Sequence, residues 1–127
     1  MRYPFDPATG LVVVRARLFG PRGDAVVDLA LDSGATTSLI NWPTALALGY
    51  DPARSQHRIE ITTASGREYC PVISVSAIEV LGKRMSNLEV VCHDLPARAS
   101  VRGLLGLHFM RRFDVRINFK QGFITLR

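Results

Sequence analysis

The sequence predicts an all-β fold in which many short strands close into a barrel or fold over into a sandwich, with one or two short helices. Three observations carry that expectation. Apolar and polar residues alternate at period two along most of the chain, turn-forming residues punctuate the runs, and the strands are too short for a parallel βαβ series. At 127 residues, 47% of them hydrophobic and 21% charged, residues 1–127 read as a single domain. A chain of that size buries roughly two-thirds of its unfolded surface, so it needs no metal or disulfide to stand.

The first element pair is "LVVVRARLF" (Leu11 to Phe19), the turn "GPRGD" and "AVVDLAL" (Ala25 to Leu31), which together read as a hairpin. In "NWPTALALGY", Pro43 near the start and Gly49 at the end bracket one short, minor helix over Thr44 to Leu48. Ile59, Ile61 and Thr63 then alternate toward a tip at "TASG", and the chain returns through Tyr69, Val72 and Val75 as a second hairpin. "LGKR" turns into the strand "MSNLEVVCH", and "DLPARASVR" is a polar loop. "GLLGLHFMRRF" has helical spacing at Leu107 and Met110 and at Phe109 and Phe113, and is expected to be the better of the two helices. "DVRINF", "KQG" and "FITLR" close the chain as a third hairpin.

Composition narrows the function. The net charge is +5, with fourteen Arg against two Lys, but the basic residues are scattered among acidic ones, so no nucleic-acid partner is expected. No apolar run approaches the roughly 18 residues of a membrane span, and "MRYPFDPATG" lacks the apolar stretch of a secretory signal. Cys70 and Cys92 are isolated, allow at most one disulfide, and are expected reduced, which suits the cytoplasm. His57, His93, His108 and the two cysteines show no local ligand spacing, so neither metal nor cofactor is expected. Cys92 and His93 are neighbours in one predicted strand, so their side chains diverge and cannot act as nucleophile and base.

The chemistry-bearing stretch is "LALDSGATTSLI" (Leu29 to Ile40). Asp-Ser-Gly is first of all a turn, because Asp and Ser bond nearby amides and Gly supplies positive φ. Its apolar flanks add something more: a buried strand would deliver Asp32 to a fixed place, and Gly34 would let the backbone approach a ligand or another chain closely. A carboxylate so held is a candidate acid or base. One carboxylate cannot fill both roles at once, and no second Asp-Ser-Gly or Asp-Thr-Gly occurs in the chain.

The order "LALDSGATTSLI", "TTASGREY", "GLLGLHFMRRF" resembles the retroviral-type (retropepsin-like) aspartic proteases, in their bacterial and cellular single-motif branch. These are half-length relatives of pepsin in which two identical chains each donate one Asp. The resemblance implies a retropepsin-like barrel with a flap hairpin, an aspartic endopeptidase activity, a homodimer, an extended peptide or protein as substrate, and no cofactor. It implies Asp32 as the catalytic aspartate and Ser33 as the hydroxyl that locks two such loops across a twofold axis. Gly34, Ala35 and Thr36 would lie along the substrate. Thr63, Ala64, Ser65 and Gly66 would form the flap tip, and Leu104, Leu105 and Gly106 would support the catalytic loop from beneath. Viral members commonly carry an acidic residue and an Arg where this chain has Thr36 and Leu107, so their supporting ion pair is missing as a unit. The terminal segments "MRYPF" and "FITLR" are expected to add to the dimer interface, the last as a strand with an edge to cover. The same fold and cleft would also serve a catalytically silent module that holds an extended peptide or dimerises.

Overall fold

A computed structural model describes all residues, 1–127. Its strands are β1 (Arg2–Pro4), β2 (Val13–Gly20), β3 (Gly23–Leu31), β4 (Ser38–Ile40), β5 (Arg58–Thr63), β6 (Gly66–Val80), β7 (Lys83–Cys92), β8 (Gly103–Leu105), β9 (Val115–Asn118) and β10 (Phe123–Leu126). Two short helices, α1 (Trp42–Ala47) and α2 (Leu107–Met110), and a 3-10 turn over Pro52–Arg54 complete it.

The main sheet runs β2-β3-β8-β4-β7-β6-β5, and a further pairing of β2 with β6, Ala16↔Val80 to Phe19↔Ala77, closes the first six of these strands into a barrel. The fold is mostly β. β6 is long enough to serve two neighbours: its first half pairs with β5 and its second half with β7 and β2. Inside the barrel, 20 buried residues form one apolar cluster, with Leu29, Leu105, Phe109 and Ile124 each at most 1% exposed. At about 25 cal/mol per Å² of apolar surface, that burial is the main force holding the strands together.

The predicted hairpins form with their boundaries shifted by a residue or two. The helices differ more. α1 has six residues and α2 only four, so the C-terminal helix is the shorter of the two. The cause lies in tertiary pairing. Gly103–Leu105 is drawn into the sheet between β3 (parallel, Ala30↔Leu104) and β4 (antiparallel, Leu39↔Leu104), leaving Gly106 to cap a single turn. A Cβ on Gly103 would overlap the Leu39 carbonyl, so the insertion requires glycine there. α1 begins two residues earlier than its sequence suggested because Asn41 is its N-cap, its Oδ1 accepting from Thr44 N at 3.0 Å.

The chain ends also depart from expectation. β10 is the central strand of a separate sheet, β1-β10-β9, in which Tyr3↔Ile124 and Ile124↔Ile117 pair on either side. "FITLR" therefore has no edge to cover; the free edges of that sheet belong to β1 and β9.

Candidate active site

The apolar run of β3 ends at Leu31, and the next residue opens a turn. Asp32 Oδ1 accepts from Gly34 N at 2.8 Å, and the Asp32 carbonyl accepts from Ala35 N at 3.2 Å. This is an Asx turn, so the simplest reading of Asp-Ser-Gly holds. Gly34 does not take up positive φ. Its part is closeness instead: a Cβ there would stand 3.1 Å from Asp32 Oδ1. Asp32 is half-buried while Ser33, Gly34 and Thr36 are exposed. Only Oδ1 is engaged within the chain, so the carboxylate keeps accepting capacity toward the outside.

The loop is stitched from beneath. Asp32 N donates to the Leu105 carbonyl at 2.9 Å, Leu107 N to the Ala35 carbonyl at 2.8 Å and His108 N to the Thr36 carbonyl at 3.1 Å. Gly106 N donates to Ser38 Oγ at 2.9 Å, with Ser38 buried. These bonds join the two segments at Thr36 and Leu107, where the viral ion pair would otherwise sit, and leave no buried charge to satisfy. A Cβ on Gly106 would lie 2.7 Å from the Ala35 carbonyl oxygen, so glycine is what lets the two segments touch. Ser38 was not recognisable as a partner from sequence, because a buried hydroxyl three residues before a helix cap has no one-dimensional signature.

Across from this loop stands the β5–β6 hairpin, and between them lies a cleft of about 510 Å³. Gly34, Ala35 and Thr36 line one side, Ile59 and Ile61 the other, with Leu104 and Val91 between. The alternation of β5 puts Ile59, Ile61 and Thr63 half-buried and the residues between them exposed, as its period implies. The predicted tip does not line the cleft: Thr63 and Gly66 pair across a two-residue turn of Ala64 and Ser65, both exposed. Gly66 has φ +126° with nothing within 4 Å of a Cβ position, so its backbone angle, not space, calls for glycine. The apolar lining by Ile59, Ile61 and Val91 went unassigned in the sequence, because alternation says that one face is apolar but not what it faces.

A second cluster lies beside the hairpin. His93 Nε2 and Glu68 Oε2 are 2.6 Å apart, and the ligand atoms of Glu68, Cys70 and His93 all fall within 4.8 Å of one another. Cys70 and His93 are thus brought together although nothing in their spacing suggested it. Burial pushes the Cys70 thiol up from its ordinary pKa, with Glu68 adding to the rise and Arg58 opposing it. Burial, with a smaller contribution from Cys70, pushes Cys92 up to about 12, which marks it as an inert packing thiol. His108 is pushed down, chiefly by burial and also by Arg112, against an opposing pull from Glu89.

A closed barrel whose Asp-Ser-Gly turn is stitched to a Leu-Leu-Gly strand and faced by a β hairpin has the architecture of a retropepsin-like aspartic protease. The aspartyl protease family model matches residues 14–109, and the chain belongs to that family. Among 215 matching chains of solved structures, the crystal structure of a retropepsin-like aspartic protease from Rickettsia conorii aligns with a TM-score of 0.74. The match is 21% identical and covers 99% of this chain and 88% of that one, a likeness of fold. No curated protein matches the chain in sequence. No helix is long and apolar enough to cross a membrane.

Proposed function

We propose that the 127-residue chain is one half of a homodimeric aspartic endopeptidase that hydrolyses extended peptides with an Asp-activated water. The observation that carries this reading is Asp32 itself: one carboxylate, held on a rigid turn beside the cleft, with accepting capacity left over and no second carboxylate motif in the chain. Peptide hydrolysis by carboxylates needs an acid and a base together. A twofold copy supplies the missing group.

Two Asp32 side chains at such an axis cannot both ionise easily, so the pair shares one proton and titrates as a unit. The ionised carboxylate takes a proton from the shared water as its oxygen attacks the peptide carbonyl. The protonated one stabilises the developing oxyanion. The tetrahedral diol then collapses as a proton passes to the leaving nitrogen. Ser33 bridges the two loops across the axis, and the backbone of Gly34, Ala35 and Thr36 lies along the peptide. The β5–β6 hairpin acts as a flap, its tip Thr63, Ala64, Ser65 and Gly66 closing over a strand-like substrate by β-augmentation. Ile59, Ile61, Val91 and Leu104 give the cleft an apolar wall suited to apolar side chains.

Asp32→Asn tests the reading. The amide oxygen still accepts from Gly34 N, so fold and dimer should persist, but the group can neither take nor return the water's proton. Hydrolysis of a peptide library should fall to background; undiminished cleavage by a clean preparation overturns the mechanism. Tight peptide binding by a wild-type chain that never cleaves identifies a holding module instead.

A further inference from the structure

We propose that Glu68, Cys70 and His93 form a zinc-binding site, three protein ligands with a fourth position open to water, at the junction of the β5–β6 hairpin and the barrel. The site is built by register. β6 and β7 pair as Val72↔Val91, and continuing that register by two residues sets His93 opposite Cys70. Glu68 lies two residues before Cys70 in β6, on the same face of the strand. Two strands thus converge a carboxylate, a thiol and an imidazole from positions 25 and 23 residues apart, and their donor atoms lie within 4.8 Å of one another.

The donor set selects the metal. Thiolate, imidazole and carboxylate together suit borderline-soft Zn²⁺ and its spectroscopic substitute Co²⁺ better than oxygen-seeking Mg²⁺ or Ca²⁺. With metal–ligand distances of about 2.0–2.3 Å, tetrahedral ligands stand about 3.4 Å apart. Glu68 and His93, now at 2.6 Å, would open slightly around the ion while Cys70 closes in. Glu68 has the freedom to do so, its side chain being 49% exposed. The surroundings fit as well. Cys70 is 3% exposed, packed with Val72, Val91, Ile59 and Ile61, so the sulfur side of the site is dry. The other side opens into a cavity of about 500 Å³ also lined by Trp42, Arg58 and Asp94, which gives the ion a way in and a place for water. On binding, the Cys70 thiol releases its proton to solvent and His93 coordinates as the neutral ring. The bound ion would tie the hairpin, at a point two residues from its tip, to the end of β7. Any effect on turnover rests on the peptidase reading; the binding does not.

The test is optical. Untagged, reduced protein titrated with Co²⁺ should give one equivalent of thiolate-to-metal charge-transfer absorption with tetrahedral d–d bands, displaced by Zn²⁺. Cys70→Ser should abolish the charge-transfer band, and His93→Ala, at the solvent rim, should weaken Zn²⁺ affinity by at least about tenfold with circular dichroism unchanged. Cys92→Ser should leave the band intact. No band in the wild-type chain overturns the proposal whichever variants fold, as does a band that survives Cys70→Ser or disappears in Cys92→Ser. Failure here with normal Asp32-dependent cleavage leaves the peptidase reading standing.

Discussion

At the scale of single residues, His108 shows how a buried polar group ties stability to pH. Both ring nitrogens are shielded from solvent and neither has a hydrogen-bond partner, while the residue's own backbone N–H holds the Thr36 carbonyl of the active-site loop. Burial favours the neutral ring, so the folded chain resists a proton that the unfolded chain accepts at about pH 6.5. Between those two pKa values the unfolded state binds more protons, and stability rises with pH. The His108 contribution is therefore complete above about pH 6.5 and is lost as pH falls toward the folded-state pKa. Denaturant melts across pH 4 to 8 should show wild-type stability declining below neutrality, with a shallower decline in His108→Gln. Equal slopes would remove His108 from the acid sensitivity. If two Asp32 carboxylates share a proton as proposed, function is squeezed: the dyad favours acidic pH, whereas the fold, through His108, favours neutral pH.

At the scale of elements, the β5–β6 hairpin connects backbone angle to motion. Gly66 is strained for any side chain by its φ of +126°, yet it is fully open, so Gly66→Val meets no neighbour and acts through the backbone alone. A positive φ disfavours a β-branched residue by about 1–3 kcal/mol. Since the tip is exposed, that strain should relax locally, lowering the melting temperature by only a few degrees, while turnover falls at least about tenfold if the tip must rearrange over substrate. Parallel melting and kinetic measurements decide it; proportionate losses would make Gly66 a folding residue and nothing more. The hairpin was legible in the sequence because Ile59, Ile61 and Thr63 repeat at the strand period and Gly66 marks the turn. β4 and β8 were not legible as strands. Each has three residues, too few to show a period, and each is held by its neighbours in the sheet, β8 between β3 and β4 and β4 between β8 and β7. The same limit hid the cluster at Glu68, Cys70 and His93, and turned the helical spacing of "GLLGLHFMRRF" into one strand and one turn of helix. Asp32 and its loop were readable in sequence for the opposite reason: strand, turn and glycine are contiguous there.

At the scale of the whole molecule, a single Asp32 leaves the chain with half of the chemistry it is proposed to perform, so activity and assembly should be one property. Specific activity should fall as protein is diluted below the dimer dissociation constant, in step with sedimentation, and acid titration of the rate should show the paired carboxylates acting as a unit. A monomer with undiminished specific activity would sink the shared site. The chain ends, expected from sequence to add to the dimer interface, call for substitution and not deletion. Deleting Phe123 to Arg127 would remove the central strand of the β1-β10-β9 sheet, together with Ile124 at 0% exposure, and so would unfold the chain instead of loosening a dimer. Substitution on the free edge is the cleaner probe. Arg2→Pro on β1 removes an outward amide donor: Phe5 N donates to the Gly122 carbonyl, so the alternation of the ladder turns the amide of Tyr3 toward β10 and that of Arg2 away from it. If β1 adds to the interface, the dilution midpoint should move to higher protein concentration while activity at saturating protein recovers. If the dimer is held only by the Asp32–Ser33–Gly34 loops, the midpoint should stay where it is, and any loss will appear in the melting temperature alone.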